Sequence, residues 1–118
     1  MSHSPNYSWS VVVNYLPPYK QTSAGKKEKR NQDKRTNLLK DAAKATSNSP
    51  CFENKKFKVD IYYSRCKGKA DSGNIIGGIL DALVDIIYKD DRQVVDINYR
   101  EFQGSKDFYM VAVTELPF

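Results

Sequence analysis

Apolar and polar positions alternate in four stretches of the chain, and this pattern predicts four β-strands. Residues 8–16 are rich in β-branched and aromatic side chains, and residues 57–66 place apolar and polar side chains on opposite faces. Residues 93–102 and 108–116 show the same alternation near the end of the sequence. The glycine-containing segment 103–107 between these last two strands is expected to be a hairpin turn.

Two further stretches carry apolar residues at helical spacing. Residues 31–47 show a modest apolar stripe among lysines, and residues 74–87 repeat apolar side chains three and four positions apart. The basic stretch 19–30 before the first helix is expected to be an exposed loop. The predicted order is strand, helix, strand, helix, strand, strand. It indicates a single small α/β (α+β) domain over residues 1–118, with a mixed sheet and a flexible start at residues 1–8.

The start of the second helix carries two specific signals. Asp71 or Ser72 can cap it, because a side-chain oxygen at this position accepts from a free backbone N–H of the first turn. The pair Gly77-Gly78 costs about 1 kcal/mol per residue relative to alanine. This stretch is therefore either weak or packs very closely on another part of the chain.

Composition narrows the class of protein. Apolar residues are 40% and aromatic residues 12% of the 118 residues, which is enough for one hydrophobic core. No apolar run approaches the roughly 18 residues of a membrane-spanning helix, and residues 1–10 lack the regions of a signal peptide. Two cysteines are too few for a disulfide framework. We therefore expect a cytoplasmic protein with reduced thiols and no membrane partner.

Charge is distributed unevenly along the chain, whose formal net charge is +5. Residues 1–69 hold 15 Lys and Arg against 5 Asp and Glu, whereas residues 70–118 hold 4 against 9. This division is typical of a protein that binds a polyanion through one part and places carboxylates near it with another. The alternative is a solvated surface whose charge is uneven. The candidate DNA-binding cations are Lys26, Lys27, Lys29, Arg30, Lys34, Arg35, Lys67 and Lys69.

Several kinds of chemistry are disfavoured by the residues present. The single histidine, His3, lies at the terminus, so histidine-based acid–base catalysis is not expected. The glycine-rich loops of nucleotide-binding proteins are missing from the sequence, so no nucleotide cofactor is expected. No Cys/His cluster has the spacing of a zinc site. Carboxylates that hold Mg²⁺ or Mn²⁺ remain.

The candidate carboxylates lie at the two ends of the second predicted helix. Asp71 precedes it, and Asp90 and Asp91 follow it. A helix of about 14 residues is roughly 21 Å long, so these groups meet only if the chain beyond Asp91 runs back along the helix or a dimer mate completes the site. The structural alternative, in which Asp71 is a cap and the Asp90-Asp91 pair fills a turn, stays open.

Residues 70–97 resemble the core of RusA-type Holliday junction resolvases. The motif Leu-Asp-Ala-Leu at 80–83 and the run Tyr-Lys-Asp-Asp-Arg-Gln-Val at 88–94 match that family in register, and the proline pair in 16–18 resembles the one after its first strand. The resemblance spans residues 9–116. It implies a Mg²⁺-dependent homodimer that binds branched, four-way DNA in recombination and repair, in the cytoplasm of a bacterium or a phage host.

Two positions depart from the family pattern. Gly73 stands where the family has its second motif aspartate, and Gly77 stands where it has its catalytic lysine. Only Asp71 and Asp91 carry over as implied metal ligands, with Asp90 beside them as an implied catalytic carboxylate. The ion, Mg²⁺ or Mn²⁺, would then be held more weakly. Lys67 or Lys69 is a candidate substitute for the missing lysine.

Three functional hypotheses follow. The first is a weakened structure-specific endonuclease that resolves Holliday junctions. The second is a catalytically degenerate protein of the same fold that binds junctions without cutting them, and the third is an interaction domain with no role on nucleic acid. Tyr15 and Tyr19 could stack on unpaired bases at a branch point, although ordinary packing is the alternative for both.

Overall fold

Four strands and two helices follow one another in the predicted order. The computed structural model describes residues 7–20, 26–47 and 51–117. The elements are β1 (Ser8–Val13), α1 (Lys26–Thr46), β2 (Phe57–Arg65), α2 (Ser72–Ala82), a 3₁₀ turn (Asp91–Gln93), β3 (Val94–Gln103) and β4 (Phe108–Glu115). The predicted fold class, a small α+β domain with a mixed sheet, is confirmed. None of the helices in these ranges is long and apolar enough to cross a membrane.

The strand order β1-β4-β2-β3 corrects the prediction for residues 103–107. β4 is antiparallel to both β1 and β2, whereas β3 is parallel to β2 and lies at the sheet edge. The predicted hairpin between β3 and β4 is therefore wrong, because β2 lies between them. Gly104 makes the crossing possible: its N–H donates to the Arg65 carbonyl at 3.0 Å, and a Cβ there would collide with Ser64 Oγ.

Both helices differ in extent from the prediction. α1 begins at Lys26, within the stretch predicted to be a loop, because Lys, Glu and Arg favour helix even where no apolar stripe marks it. α2 ends at Ala82 instead of residue 87. Asp85 has a left-handed backbone, with φ of 67°, which breaks the helical path. The apolar run nevertheless continues, because the turn after α2 buries Ile87 and Tyr88.

The hydrophobic core lies on one face of the sheet. The alternate residues of β2 and β4 that point to this face are at most 1% exposed: Phe57, Val59, Ile61, Tyr63, Tyr109, Val111 and Val113. Leu39 and Ala43 of α1 and Ile75 and Ile79 of α2 belong to the same buried cluster. The two helices therefore cover a single face, and β2 and β4 form the centre of the domain.

The start of β1 is held against the end of β4. Tyr7 donates its N–H to the Glu115 carboxylate at 3.1 Å, and Ser8 pairs with Thr114 of β4. Residues 7 and 8 thus belong to the ordered sheet, and the rest of the segment expected to be flexible, residues 1–6, lies outside the described residues.

Candidate active site

Asp71 caps the N-terminus of α2, as one of the two predicted cap residues. Its Oδ1 accepts from the Asn74 backbone N–H at 2.9 Å, and its Oδ2 accepts from the Asn74 side-chain amide at 3.3 Å. The carboxylate is exposed. Asp71 therefore has the structural role of a cap, and its carboxylate remains exposed to solvent.

The double glycine of α2 is the place where another segment crosses the helix. A Cβ on Gly78 would lie 2.5 Å from the Tyr19 backbone nitrogen and 2.6 Å from the Pro18 carbonyl carbon. The backbone N–H of Lys20 donates to the Asn74 carbonyl at 2.9 Å, which fixes the crossing. The close packing that the glycine pair suggested is confirmed.

Lys20 extends from this crossing along the surface of α2. Its methylene groups lie over Gly77, where a Cβ would be 2.9 Å from Lys20 Cδ. Its Nζ lies 3.4 Å from Asp81 Oδ2, and the two side chains are 56% and 49% exposed. An ammonium group thus lies beside the helix one turn beyond Gly77, on a side chain that can change conformation.

Asp90 is held by the turn that it begins. It caps the 3₁₀ turn, and its oxygens accept from the backbone N–H and the guanidinium of Arg92 at 2.8 to 3.1 Å. The Arg92 side chain and backbone bonds lower the pKa of Asp90 to about 2, so the carboxylate is ionised at neutral pH. Both oxygens have partners, and this favours a positioning role for Asp90 in presenting its neighbour Asp91.

The buried side chain of Gln93 fixes the same turn from the interior of the protein. Its oxygen accepts from the backbone N–H groups of Lys89 and Asp90 at 2.9 and 3.0 Å. Its amide nitrogen donates to the carbonyls of Phe52 at 3.2 Å and Lys55 at 2.9 Å. One buried amide therefore ties the Asp90-Asp91 turn to the loop before β2.

The chain after α2 folds back onto the C-terminal end of the helix, the end opposite Asp71. Tyr88 donates its hydroxyl to the Leu80 carbonyl at 2.6 Å. Burial raises the pKa of Tyr88, and the carboxylates of Asp91 and Asp81 raise it further. With 11 residues, α2 is also only about 16 Å long.

These carboxylates do not form a closed metal cluster in one chain. Within residues 7–20, 26–47 and 51–117 no group of three or more His, Cys, Asp or Glu is arranged to hold an ion. Mg²⁺ usually has one or two carboxylate ligands and takes the rest of its shell from water and substrate phosphate. Asp71 and Asp91 fit that requirement in donor chemistry and number, but no contact or cleft of the described residues brings the two carboxylates together.

The loop that carries Lys67 and Lys69 is fixed by Asp107. The Asp107 carboxylate accepts from the backbone N–H groups of Cys66, Lys67 and Gly68 at 2.7 to 3.1 Å, and from the Tyr63 hydroxyl at 2.5 Å. Burial alone would raise the pKa of Asp107, but these donors outweigh it and lower the pKa to about 2. Lys67 and Lys69 themselves are exposed.

The predicted basic cluster lies on the first half of α1. Lys29, Arg30 and Lys34 are exposed and Arg35 is half-buried. The backbone of the remaining two predicted cations, Lys26 and Lys27, belongs to the helix, but their side chains lie outside the described residues. Successive cations on the helix surface form a strip that suits a phosphate backbone.

Two of these cations cover the tyrosines that flank the proline pair. Lys34 Nζ lies 4.8 Å from the centre of the Tyr15 ring, and the Arg35 guanidinium lies 5.1 Å from that of Tyr19. Both rings also pack against the core. This arrangement favours packing over base stacking for Tyr15 and Tyr19.

A cleft of about 420 Å³ lies between α1, α2 and the crossing segment. Three lysines and two aspartates are among the residues that line it: Lys20, Lys29, Lys40, Asp33 and Asp81. The cleft therefore joins the basic strip of α1 to the surface of α2 that lies between the two ends of the helix.

Sequence reasoning missed Lys20, Gln93 and Asp107. Lys20 is a single lysine in a loop, and no spacing rule marks it. Gln93 lies in the 88–94 run, but its residue type alone indicates no role there, and the predicted hairpin turn at 103–107 gives Asp107 no contact with the loop after β2. The Gly77-Gly78 pair was the one signal that a neighbouring segment must cross α2.

Two comparisons relate this chain to known proteins. The chain is 37% identical over 73 residues to the uncharacterized protein YqaN of Bacillus subtilis (strain 168). That match covers 62% of this chain and 49% of the relative, so the chain spans about half of the relative's length. The family model described as endodeoxyribonuclease RusA matches residues 3–114, nearly the whole chain. The chain therefore belongs to the RusA endodeoxyribonuclease family.

Proposed function

We propose that the protein is a divalent-metal-dependent endonuclease that binds and resolves four-way DNA junctions in recombination and repair, with weakened activity. The observation that carries the proposal is the family match over residues 3–114. The exposed carboxylate of Asp71 at the start of α2 and the fixed turn that carries Asp91 support it. We propose that it acts on DNA in the cytoplasm of a bacterium, as a bacterial or a phage protein.

Asp71 and Asp91 would hold Mg²⁺, or Mn²⁺ in its place. When bound, such an ion polarises a phosphoryl oxygen and lowers the pKa of a water molecule. Asp90 and Gln93 keep the turn that presents Asp91 in place. The α1 strip neutralises phosphates and holds the strand along the protein.

The two altered positions account for the weakened activity. Gly73 supplies no carboxylate and Gly77 supplies no cation of its own. Removal of one preorganised electrostatic contact to a transition state typically costs a factor of about 10² to 10³ in rate. We therefore expect slow cleavage that is seen best at high enzyme concentration in single turnover.

A homodimer is part of the proposal, because two symmetric cuts resolve a four-way junction. β3 pairs with β2 on one side, and no strand of the described ranges pairs with its other side. Its side chains are exposed along most of its length, including the apolar Val95, Ile97 and Phe102 at 51%, 40% and 50%. An edge strand of ten residues that exposes three large apolar side chains is suited to association with a second copy.

A catalytically degenerate junction-binding protein is the second candidate. Both oxygens of Asp71 bond to Asn74 within the chain, and the described residues gather no three-ligand metal cluster. DNA binding through α1 does not depend on either feature.

Binding and cleavage of labelled DNA distinguish the candidates. A four-way junction and a linear duplex of the same sequence should be titrated with protein at about 50 and 200 mM salt in EDTA, where a phosphate-binding protein loses affinity steeply. Junction binding followed by slow cleavage on adding Mg²⁺ or Mn²⁺ supports the nuclease. Binding without cleavage supports the degenerate protein, and failure to bind either DNA refutes both.

A further inference from the structure

Lys20 is a cation whose side chain lies directly on α2, over Gly77 and beside Asp81, between the two ends of the helix. Its backbone N–H is fixed to the Asn74 carbonyl at 2.9 Å, and Asn74 in turn bonds the Asp71 carboxylate at 2.9 Å. The backbone of Lys20 is therefore linked to the candidate metal ligand Asp71 through one intervening residue, Asn74.

The rest of the side chain is held only by an ion pair. Lys20 Nζ lies 3.4 Å from Asp81, with both groups about half exposed. Ion pairs of this kind contribute little to stability, so the ammonium can exchange Asp81 for another anion at little cost. A lysine with a fixed backbone and an ammonium group that can change its ion-pair partner is suited to binding a phosphate group.

The groups around Lys20 favour an anion that enters along α2. Asp81 on α2 and Asp33 on α1 line the cleft with Lys29 and Lys40 of α1. Three ammonium groups thus face two carboxylates, and the excess positive charge continues onto the exposed strip of α1. A phosphodiester that leaves this strip toward Asp71 would pass Lys20.

We propose that Lys20 contacts the backbone phosphate at the cleavage position, leaving Asp81 when a DNA strand lies along α2. This inference rests on the proposed function and names a further residue of its site. Gly77 permits the arrangement, because a side chain there would occupy the space of the Lys20 methylene groups. Gly77 stands where the family has a lysine, and Lys20, on the segment that crosses α2, then supplies a cation in its place.

The test uses four variants of the full chain. Lys20→Ala removes the cation, Lys20→Arg keeps it, and Asp81→Asn removes the ion-pair partner while leaving Lys20 in place. Lys44→Ala, an exposed lysine in the last turn of α1, is the matched control for net charge. Thermal unfolding confirms that each variant is folded. Junction affinity is measured in EDTA across a salt series, and cleavage is measured in single turnover with Mn²⁺.

We expect Lys20→Ala to cut about 10²-fold more slowly, with Lys20→Arg losing much less. In EDTA the slope of log affinity against log salt should fall by about 0.9 in magnitude for Lys20→Ala and stay unchanged for Lys44→Ala. Asp81→Asn should cut at least as fast as the wild-type chain, because its loss frees the ammonium.

Two results would overturn the inference while leaving the nuclease proposal in place. One is Lys20→Ala cutting at the wild-type rate. The other is Asp81→Asn losing as much rate as Lys20→Ala, which would mean that the ion pair has only a structural role. If the wild-type chain binds the junction and cuts nothing, the nuclease proposal fails, and the salt slope in EDTA alone decides whether Lys20 contacts a phosphate.

Discussion

Replacing Gly78 with alanine tests the crossing that places Lys20 on α2. The added Cβ would lie 2.5 Å from the Tyr19 nitrogen and 2.6 Å from the Pro18 carbonyl carbon. Both are backbone atoms, in a segment held by the Lys20–Asn74 hydrogen bond, so neither can move cheaply. Overpacking costs typically about 1–3 kcal/mol, and alanine regains up to about 1 kcal/mol of helix propensity. Because the obstructing atoms are backbone, we take the upper part of that cost, about 2–3 kcal/mol, and expect a net loss of about 1–2 kcal/mol in the free energy of unfolding.

Gly77→Ala is the matched control in the preceding position of the same helix. Its Cβ would meet only the Lys20 side chain, 2.9 Å from Cδ, and that exposed chain can shift. The propensity gain then remains, and Gly77→Ala should be unchanged or more stable by up to about 1 kcal/mol. Urea unfolding of both variants measures the difference through the midpoint at constant slope. A Gly78→Ala variant as stable as Gly77→Ala would refute the close approach of the two segments.

Three further variants test the supports of the site and the dimer. Asp107→Asn should lower the free energy of unfolding by about 1–3 kcal/mol at pH 7. Because the pKa of Asp107 in the folded protein is lowered from 3.8 to about 2, the stabilisation by its carboxylate is complete at a pH above 3.8 and is lost as the pH falls through 2. An Asp107→Asn variant that loses as much stability at pH 2 as at pH 7, or a similar loss in the exposed control Asp96→Asn, would contradict this prediction. Gln93→Glu removes the donor to two backbone carbonyls and should cost about 2–4 kcal/mol in urea unfolding, and an unchanged midpoint would show that this amide does not hold the turn. Ile97→Lys should convert a dimer into a monomer in sedimentation, whereas Val12→Lys, exposed on the opposite edge strand, should not; a monomeric wild-type chain would refute the dimer.

The strands were predictable because each has one buried face. In β2 the alternation of Phe57, Val59, Ile61 and Tyr63 with polar residues is visible in the sequence and becomes the buried face of the sheet. The strand order was not predictable, since local alternation does not say which strands pair. The short segment after β3 looked like a hairpin because a passage over the end of β2 uses the same glycine-containing turn residues.

The helix ends were missed for opposite reasons. The start of α1 is polar on all sides, so no apolar period marked residues 26–30 as helical. The end of α2 was placed too late, because Ile87 and Tyr88 continue the apolar run while they are buried by a turn that folds back. Burial was predicted correctly there, and the backbone conformation was not.

Only those roles of site residues were predictable that depend on residue type and on neighbours in the sequence. Asp71 as a helix cap follows from residue type and place, and the structure confirms that cap. The roles of Lys20 and Asp107 arise from contacts between segments distant in the chain, and no local pattern encodes them. The metal-binding role assigned to Asp71 and Asp91 remains a proposal.

Single-turnover cleavage of a four-way junction by the wild-type chain, Asp91→Asn and the double variant Gly73→Asp/Gly77→Lys tests the central claim most directly. The double variant is compatible with the fold, since a Cβ on Gly73 has only an ordinary 3.8 Å contact with Asp71 Oδ1 and Lys20 can make room at Gly77. We predict slow cutting by the wild-type chain with Mg²⁺ or Mn²⁺, none by Asp91→Asn, and faster cutting by the double variant. Cutting by Asp91→Asn at the wild-type rate, or cutting by the double variant alone, would contradict a working two-carboxylate nuclease.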